Sequence, residues 1–373
     1  MSNNDEIISK ASPHTIKKFE LIEKYVEAWA QKLLRNDYCK GLVFIDCMCN
    51  SGEYVDEYNQ QVFGTPVRIS KILRDAAGQF PNKQFNLYFN DFSSAKIAHL
   101  KSLVGSNKQN FSINITCQDG NALLKNMRES IFANTNIPYL LVYDPYDATI
   151  DWDAIMPFLN NWGEVIINHS LMDSTRAVKM AKSKTAINKY EQTYQMGIDD
   201  LSTYGSDKEA YEVRIIEIIE SLRKNQKKDY YIAAAPFFNK RNAIAYDLLH
   251  CTGNIAGFKL YKKSAWQTFG GKSSTKDTHG GEDQYVLDFN GKNLTTLDTD
   301  EDCYYIKDVA KYLQSVFSGQ QDVPLETIWN HLDNHPIFPS DCFRKEIKNE
   351  LKQLYNAKIS RSSISFSTEI SYP

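Results

Sequence analysis

The run Tyr143-Asp144-Pro145-Tyr146-Asp147 carries the residue types that methyl transfer to a planar exocyclic amine needs. A carboxylate and a backbone carbonyl can accept the amine's hydrogens, and an aromatic can stack on the ring that bears it. Proline fixes φ, so the turn is stiff before anything binds. Such a site works by positioning, because the reactive group belongs to the cofactor. Asp144, Pro145 and Tyr146 are therefore the candidate catalytic residues. An Asp-Pro pair also starts ordinary turns, and what distinguishes this one is its place at the end of an apolar run, Tyr139 to Tyr143.

Four more apolar runs end in a polar residue in the same way. Leu42 to Ile45 ends at Asp46, Phe85 to Asn90 at Asp91, Ser112 to Cys117 near Asp119, and Glu164 to Ile167 at Asn168. In a doubly wound sheet, strand ends of this kind converge on one ligand crevice. Asp46 would orient the first turn or meet the charged amino-acid part of a ligand. Asp91, after the second strand, suits bidentate hydrogen bonding to ribose hydroxyls, and Asp119 sits where adenine is contacted. Each could instead simply cap the helix that follows. As a series they are read as a ligand rim. The first turn, Cys47-Met48-Cys49-Asn50-Ser51-Gly52, is poor in glycine; Met48 and Asn50 stand where a strict Gly-rich loop has none but glycine. Asn50 tolerates left-handed φ better than most residues. Asp46, Cys47, Asn50, Gly52, Asp91 and Asp119 are the candidate cofactor contacts.

The elements between these ends alternate. Helical spacing is read over Thr65 to Ala77, Ser93 to Leu103, Asn121 to Phe132 and Trp152 to Asn160, so strand and helix alternate as a parallel sheet covered on both faces requires. Tyr230 to Phe237 and Ala243 to Cys251 are separated by only five residues, which permits an antiparallel hairpin and excludes a parallel crossover. Five parallel strands and that hairpin make seven, the count and order of a class I S-adenosylmethionine-dependent methyltransferase sheet. The expected fold is thus α/β: a seven-stranded, mostly parallel Rossmann-like sheet, with a C-terminal winged-helix-like α+β part.

The expected division is a helical extension over 1–40, a methyltransferase-like domain over 41–267 with a helical insertion at 173–227, a Gly- and Ser-rich linker or mobile loop over 268–300, and a winged-helix-like domain over 301–373. In the extension, residues 1–11 are polar and expected to be disordered. Ser12-Pro13 then starts a helix whose apolar face includes Ile16, Phe19, Ile22, Val26, Trp29 and Leu33. In the C-terminal part, helices are read at Tyr305 to Phe317, Leu325 to Leu332 and from Pro339 to Leu354, followed by a wing strand at Ala357 to Ser360. Arg344, Lys345, Lys348, Lys352, Lys358 and Arg361 cluster there. They read equally as a phosphate-contacting surface and as a solvated helix face. Lys348 and Lys352 are carried as substrate-contact candidates.

Composition narrows the class. The 373 residues have a net charge of −3, which excludes a uniformly basic nucleic-acid binder but not a local basic patch. No apolar run approaches the ~18 residues of a membrane span, and no leader-peptide pattern is visible, so a cytoplasmic protein is expected. The seven cysteines are odd in number and scattered, which fits reduced, buried thiols. Cys47-Met48-Cys49 lacks a second Cys/His pair at zinc spacing, so no metal site is assigned. His169 and His250 read as satisfied polar residues.

With the strands placed, the chain resembles the three-Cys-motif partner proteins (TcmP). The likeness runs from His14-Thr15-Ile16-Lys17, Tyr25 and Trp29 through Phe44-Ile45-Asp46, Gly52, Tyr54 and Gly64-Thr65-Pro66. It continues through Asp144-Pro145-Tyr146, Asp151-Trp152, Asn168, Arg176 and Trp266 to the C-terminal part. The resemblance implies S-adenosylmethionine as cofactor, Asn168 and Arg176 in support of the substrate, and action beside a radical-type iron–sulfur partner bearing three cysteines. The Asp-Pro-aromatic turn is also similar to that of guanine-N2 transfer RNA methyltransferases. The departures fall in the cofactor loop, with Cys49, Asn50 and Ser51 for an Ala-Gly-Pro-like run, and at Tyr146 and Asp147 in place of phenylalanine and glycine. Two functions are therefore expected. One is a methyltransferase acting on a nitrogen of a nucleic-acid base or nucleoside. The other is a catalytically degenerate fold that binds nucleic acid or a partner in a mobile or defence system. A third reading, a nucleic-acid-processing component with a metal on the rim carboxylates, would show a metal requirement.

Overall fold

The computed structural model describes residues 7–146, 149–170, 178, 181–204, 210–222, 229–238, 244–276, 303–333 and 335–368. Strand β1 (Ser9–Lys10) precedes helix α1 (Pro13–Leu34). Ser12 caps α1, its hydroxyl accepting from Thr15 N at 3.2 Å, and Pro13 takes the first helical position, where a missing N–H costs nothing. Then follow β2 (Gly41–Asp46), β3 (Glu53–Val55), β4 (Gln61–Phe63), α2 (Thr65–Gln79), β5 (Gln84–Asn90), α3 (Ser94–Leu103), β6 (Phe111–Thr116), α4 (Gly120–Phe132), β7 (Tyr139–Tyr143), α5 (Trp152–Leu159) and β8 (Glu164–Ser170).

Strands β9 (Tyr231–Phe238) and β10 (Ile244–Thr252) complete the main sheet, whose order is β11-β9-β10-β8-β7-β2-β5-β6 with the two-residue β11 (Thr275–Lys276) at its edge. Strands β2, β5, β6, β7 and β8 pair in parallel. β10 lies between β8 and β9 and is antiparallel to both. Apart from β11, this is the seven-stranded order of the class I methyltransferase sheet. Every residue of β2 and of β7 is buried, as central parallel strands covered on both faces must be.

One face carries α1, α2 and α3 and the helix Ile255–Thr268, with Ile22, Val26, Ile69, Leu73, Leu100 and Phe258 in a common core. The other carries α4, α5 and the helices Lys184–Tyr194 and Ala210–Leu222, including Leu124, Ile155, Tyr194 and Ile219. A third core, around Leu313, Ile328, Trp329, Ile347 and Leu351, belongs to the C-terminal unit. That unit runs helix Ile306–Phe317, β12 (Val323–Pro324), helix Leu325–Asp333, helix Arg344–Tyr355 and the hairpin of β13 (Lys358–Ile359) and β14 (Ser363–Ser365).

Three local expectations are corrected. Residues 7–11 are not structureless: Ser9 and Lys10 pair in parallel with Tyr54 and Val55 of a β3–β4 hairpin. The six-residue hairpin is too short to leave an alternation pattern, and β1 is held by backbone pairing that polar residues provide as well as apolar ones. The third C-terminal helix starts at Arg344 rather than at Pro339, because Phe343 adopts a left-handed φ of 55° that breaks the helix. Asn168 is not at a strand end, since β8 continues through Ser170. Among the described residues no helix is long and apolar enough to cross a membrane.

Candidate active site

The turn after β2 decides whether backbone can approach a ligand. Asn50 and Gly52 have φ of 59° and 77°. The asparagine therefore adopts the left-handed conformation a glycine would otherwise supply. Its own side chain holds the bend, Asn50 Oδ1 accepting from Ser51 N at 2.7 Å. A Cβ on Gly52 would stand 2.6 Å from Leu100 Cδ1. The turn is tied to the neighbouring strand ends by Asn90, whose side-chain amide donates to Cys47 O at 3.0 Å and to Gln118 O at 2.9 Å. Asn90 also accepts from Thr116 Oγ1 at 2.8 Å. One buried amide thus fixes the ends of β2, β5 and β6 relative to each other.

Asp91 is buried and its oxygens face the turn, Oδ2 accepting from Asn50 N at 3.0 Å and Oδ1 from Ser93 N at 2.8 Å. Tyr146 also donates its hydroxyl to Asp91 Oδ2, so the turn after β7 closes onto the end of β5. Beside them Phe92 stands 58% exposed and Tyr146 52% exposed, edge to face with centroids 5.2 Å apart. Two exposed rings at one crevice are a stacking surface for a planar ligand. The Lys96 ammonium lies 5.4 Å from the Tyr146 ring centroid.

Asp144 is held from two sides. Asn168 Nδ2 donates to its Oδ1 at 2.6 Å, and Lys18 Nζ of α1 forms an ion pair with its Oδ2 at 2.6 Å. The Asn168 side-chain oxygen is buried without a hydrogen-bond partner among the described residues, which leaves one acceptor unused beside the carboxylate. Asp46 lies close by. Burial, reinforced by the Asp144 carboxylate and less by Asp91, pushes its carboxyl up to about 8, against the opposing pull of Met48 N and Lys18. Burial and the Asp144 and Asp46 charges likewise raise the Tyr54 hydroxyl. Three strand-end carboxylates, Asp46, Asp91 and Asp144, therefore share one field.

The remaining candidates separate. Asp119 caps α4, accepting from Ala122 N at 2.8 Å, and its side chain is exposed; the capping role foreseen as the alternative is the one its contacts display. It is near enough to Cys47 to help raise that thiol, although burial does most. Cys47 and Cys49 are buried neutral thiols. Pro145 lies in the turn between Asp144 and Tyr146. Arg176 lies outside the described residues. Lys348 and Lys352 sit on the helix Arg344–Tyr355 of the C-terminal unit, Lys348 with its ammonium 5.9 Å from the Trp329 ring centroid, and among the described residues no hydrogen bond or ion pair joins either to the crevice. His169 is buried, pushed down to about 3 by that burial, and bonded to Tyr194 at 2.8 Å. His250 pairs with Glu164 at 2.8 Å. Each is bonded through Nε2 only; the Nδ1 of both is buried with no hydrogen-bond partner among the described residues, so the expectation of fully satisfied polar residues is met on one side of each ring. No group of three or more His, Cys, Asp or Glu among the described residues is placed to hold a metal.

Lys18, Asn90 and Phe92 were missed from the sequence. An aromatic directly after the second strand's carboxylate was the signal for Phe92; Lys18 left none.

The chain matches no family model and no curated protein. Solved structures of methyltransferases do resemble it. Human methyltransferase-like protein 13 in complex with SAH is 9% identical over 73% of this chain and 97% of its own, with a TM-score of 0.32. The methyltransferase domain of bacterial CtHen1-C is 9% identical over 62% and 98%, TM-score 0.29. A putative caffeoyl-CoA O-methyltransferase from Staphylococcus aureus is 10% identical over 61% and 82%, TM-score 0.30. Likenesses of that degree bear on no function, and the fold class rests on the strand order itself.

The residues present fit an adenosyl amino-acid cofactor. Left-handed Asn50 and Gly52 open the turn; Asp91 would meet the ribose, Phe92 would offer a ring face, and Asp144 would meet a cationic end, with Asp46 beside it once a cation lowers its raised pKa. A Cβ on Gly120 would stand 2.6 Å from Cys47 O and 3.1 Å from Met48, so the start of α4 approaches the turn closely.

Proposed function

We propose that this chain is an S-adenosylmethionine-dependent methyltransferase acting on a nitrogen of a nucleic-acid base or nucleoside. The observation that carries this reading is the convergence of Asp46, Asp91 and Asp144 around a turn with two left-handed residues. Lys18 offsets one of these charges, and clustered carboxylates remain costly unless a further cation joins them; a sulfonium bearing an ammonium group is such a cation. When bound, that cofactor supplies an electrophilic methyl group. The chain's own residues do the rest. Asp144, oriented by Asn168, accepts a hydrogen of the amine, and the unused Asn168 oxygen is a second acceptor. Phe92 and Tyr146 hold the ring plane. Tyr146 must leave Asp91 for that carboxylate to take ribose hydroxyls in its place. Isothermal titration with S-adenosylmethionine tests the reading: micromolar binding, lost in Asp91→Ala, is expected, and no heat at millimolar ligand would sink it.

A specific observation favours a second reading, a degenerate fold used for binding. Met48 stands at a usual glycine position, and its side chain lies so close to Gly120 that a Cβ there would stand 3.1 Å from it. The C-terminal order of helix, strand, two helices and hairpin supports a winged helix, on which Lys345, Lys348, Asn349 and Lys352 recur at helical spacing along one face. Family resemblance extends the proposal to a three-Cys-motif iron–sulfur partner.

A further inference from the structure

Lys18 reaches the crevice from a helix that the sheet's own topology does not require. It lies 126 residues before Asp144, and Phe19, Ile22 and Val26 anchor α1 in the core around it. Its side chain is 12% exposed, so its charge is poorly screened. Its ammonium lies 5.6 Å from the centroid of the Tyr246 ring. Its pull on Asp46 is the cationic contribution felt there.

The chemistry of an α-amino-acid end defines what such a site lacks without Lys18. The ammonium group of that end would be met by Asp144, and by Asp46 once that cation ionises it. The carboxylate is not: beside Asp144 it would meet a like charge and be repelled. A lysine ammonium has three donors, and Lys18 uses one of them in a hydrogen bond, on Asp144. Two remain.

We propose that Lys18 is the anchor for the carboxylate of the cofactor's amino-acid end, making α1 a part of the binding site. Before binding, the ammonium neutralises Asp144. After binding it bridges Asp144 and the ligand carboxylate, while Asp46 and Asp144 take the ligand ammonium. No bond is made or broken. The inference rests on the methyltransferase reading above.

The test is calorimetric and uses the full chain with two probes, S-adenosylmethionine and its decarboxylated form, which keeps the sulfonium and the amine. Wild-type protein is expected to prefer the carboxylate-bearing ligand by tenfold or more. Lys18→Met should bind both alike, with its loss confined to S-adenosylmethionine, and Lys18→Arg should restore most of the preference. Equal losses for both ligands in Lys18→Met, or a preference that survives it, would overturn the assignment. A wild-type protein without preference would overturn it too, whether or not the variants fold. A wild-type protein that binds neither ligand would remove the methyltransferase reading along with it.

Discussion

Asp46 shows how the site sets its own chemistry residue by residue. Its carboxyl is neutral up to about pH 8 because burial and the Asp144 and Asp91 carboxylates oppose its ionisation more than Lys18 and Met48 N favour it. In the unfolded chain it ionises near its ordinary value. A group whose folded pKa is raised contributes stability that is fully present below the unfolded pKa and is lost as pH rises through the folded one. Between about pH 4 and pH 8, then, wild-type protein pays progressively for holding Asp46 neutral. Asp46→Asn carries no such dependence. The melting temperature of the variant should rise relative to wild type across that interval and level off above it, as differential scanning fluorimetry over a pH series would record. A constant difference would show that Asp46 is ionised in the folded protein.

At the scale of elements, the turn after β2 is where sequence pattern and geometry meet. Asn50 at φ 59° performs the conformational task of glycine, so Asn50→Gly should change stability by only a few tenths of a kcal/mol. Asn50→Val, with a branched side chain forced left-handed, should cost ~1–2 kcal/mol. Chemical denaturation of the two variants separates them, and equal costs would mean that the Asn50 side-chain contact, not its φ, matters. Much of this was legible: runs such as Leu42 to Ile45 and Tyr139 to Leu141 are apolar throughout because their strands are buried on both faces, and the helix starts at Ser12 and Ser93 are marked by capping residues. What was not legible depends on contacts across the sheet. Lys18 meets Asp144 only because α1 folds over the crevice, Asn90 matters only once β2, β5 and β6 are side by side, and the β3–β4 hairpin is too short to show a period. Asp119 was legible as two things, and its exposed side chain caps α4.

The whole molecule is joined through the helix Ile255–Thr268, which packs on the sheet and carries the C-terminal unit. Lys262 is buried at that junction and donates to Leu332 O, Asp333 O and His335 O at 3.0, 3.2 and 2.6 Å. These carbonyls close the helix Leu325–Asp333, where a cation is favoured. Trp266 Nε1 adds a bond to Ile337 O at 3.0 Å, and Lys259 pairs with Asp333 at 2.9 Å. Burial pushes Lys262 down to about 7, with Lys259 acting the same way and Asp333 and Asp341 opposing. The unfolded chain binds the lysine proton up to its ordinary pKa, so stability rises with pH from about 7 towards 10 and is lost as pH falls through the folded value. Lys262→Met leaves the three carbonyls without their donor, at a cost of ~1–3 kcal/mol, and has no lysine to titrate. The stability advantage of wild type over Lys262→Met should therefore widen between pH 7 and pH 10 in calorimetry. A gap that stays level or narrows would mean the ammonium stays charged in the junction, its three carbonyls outweighing its burial, and the two units would then be held together as firmly at neutral as at acid pH.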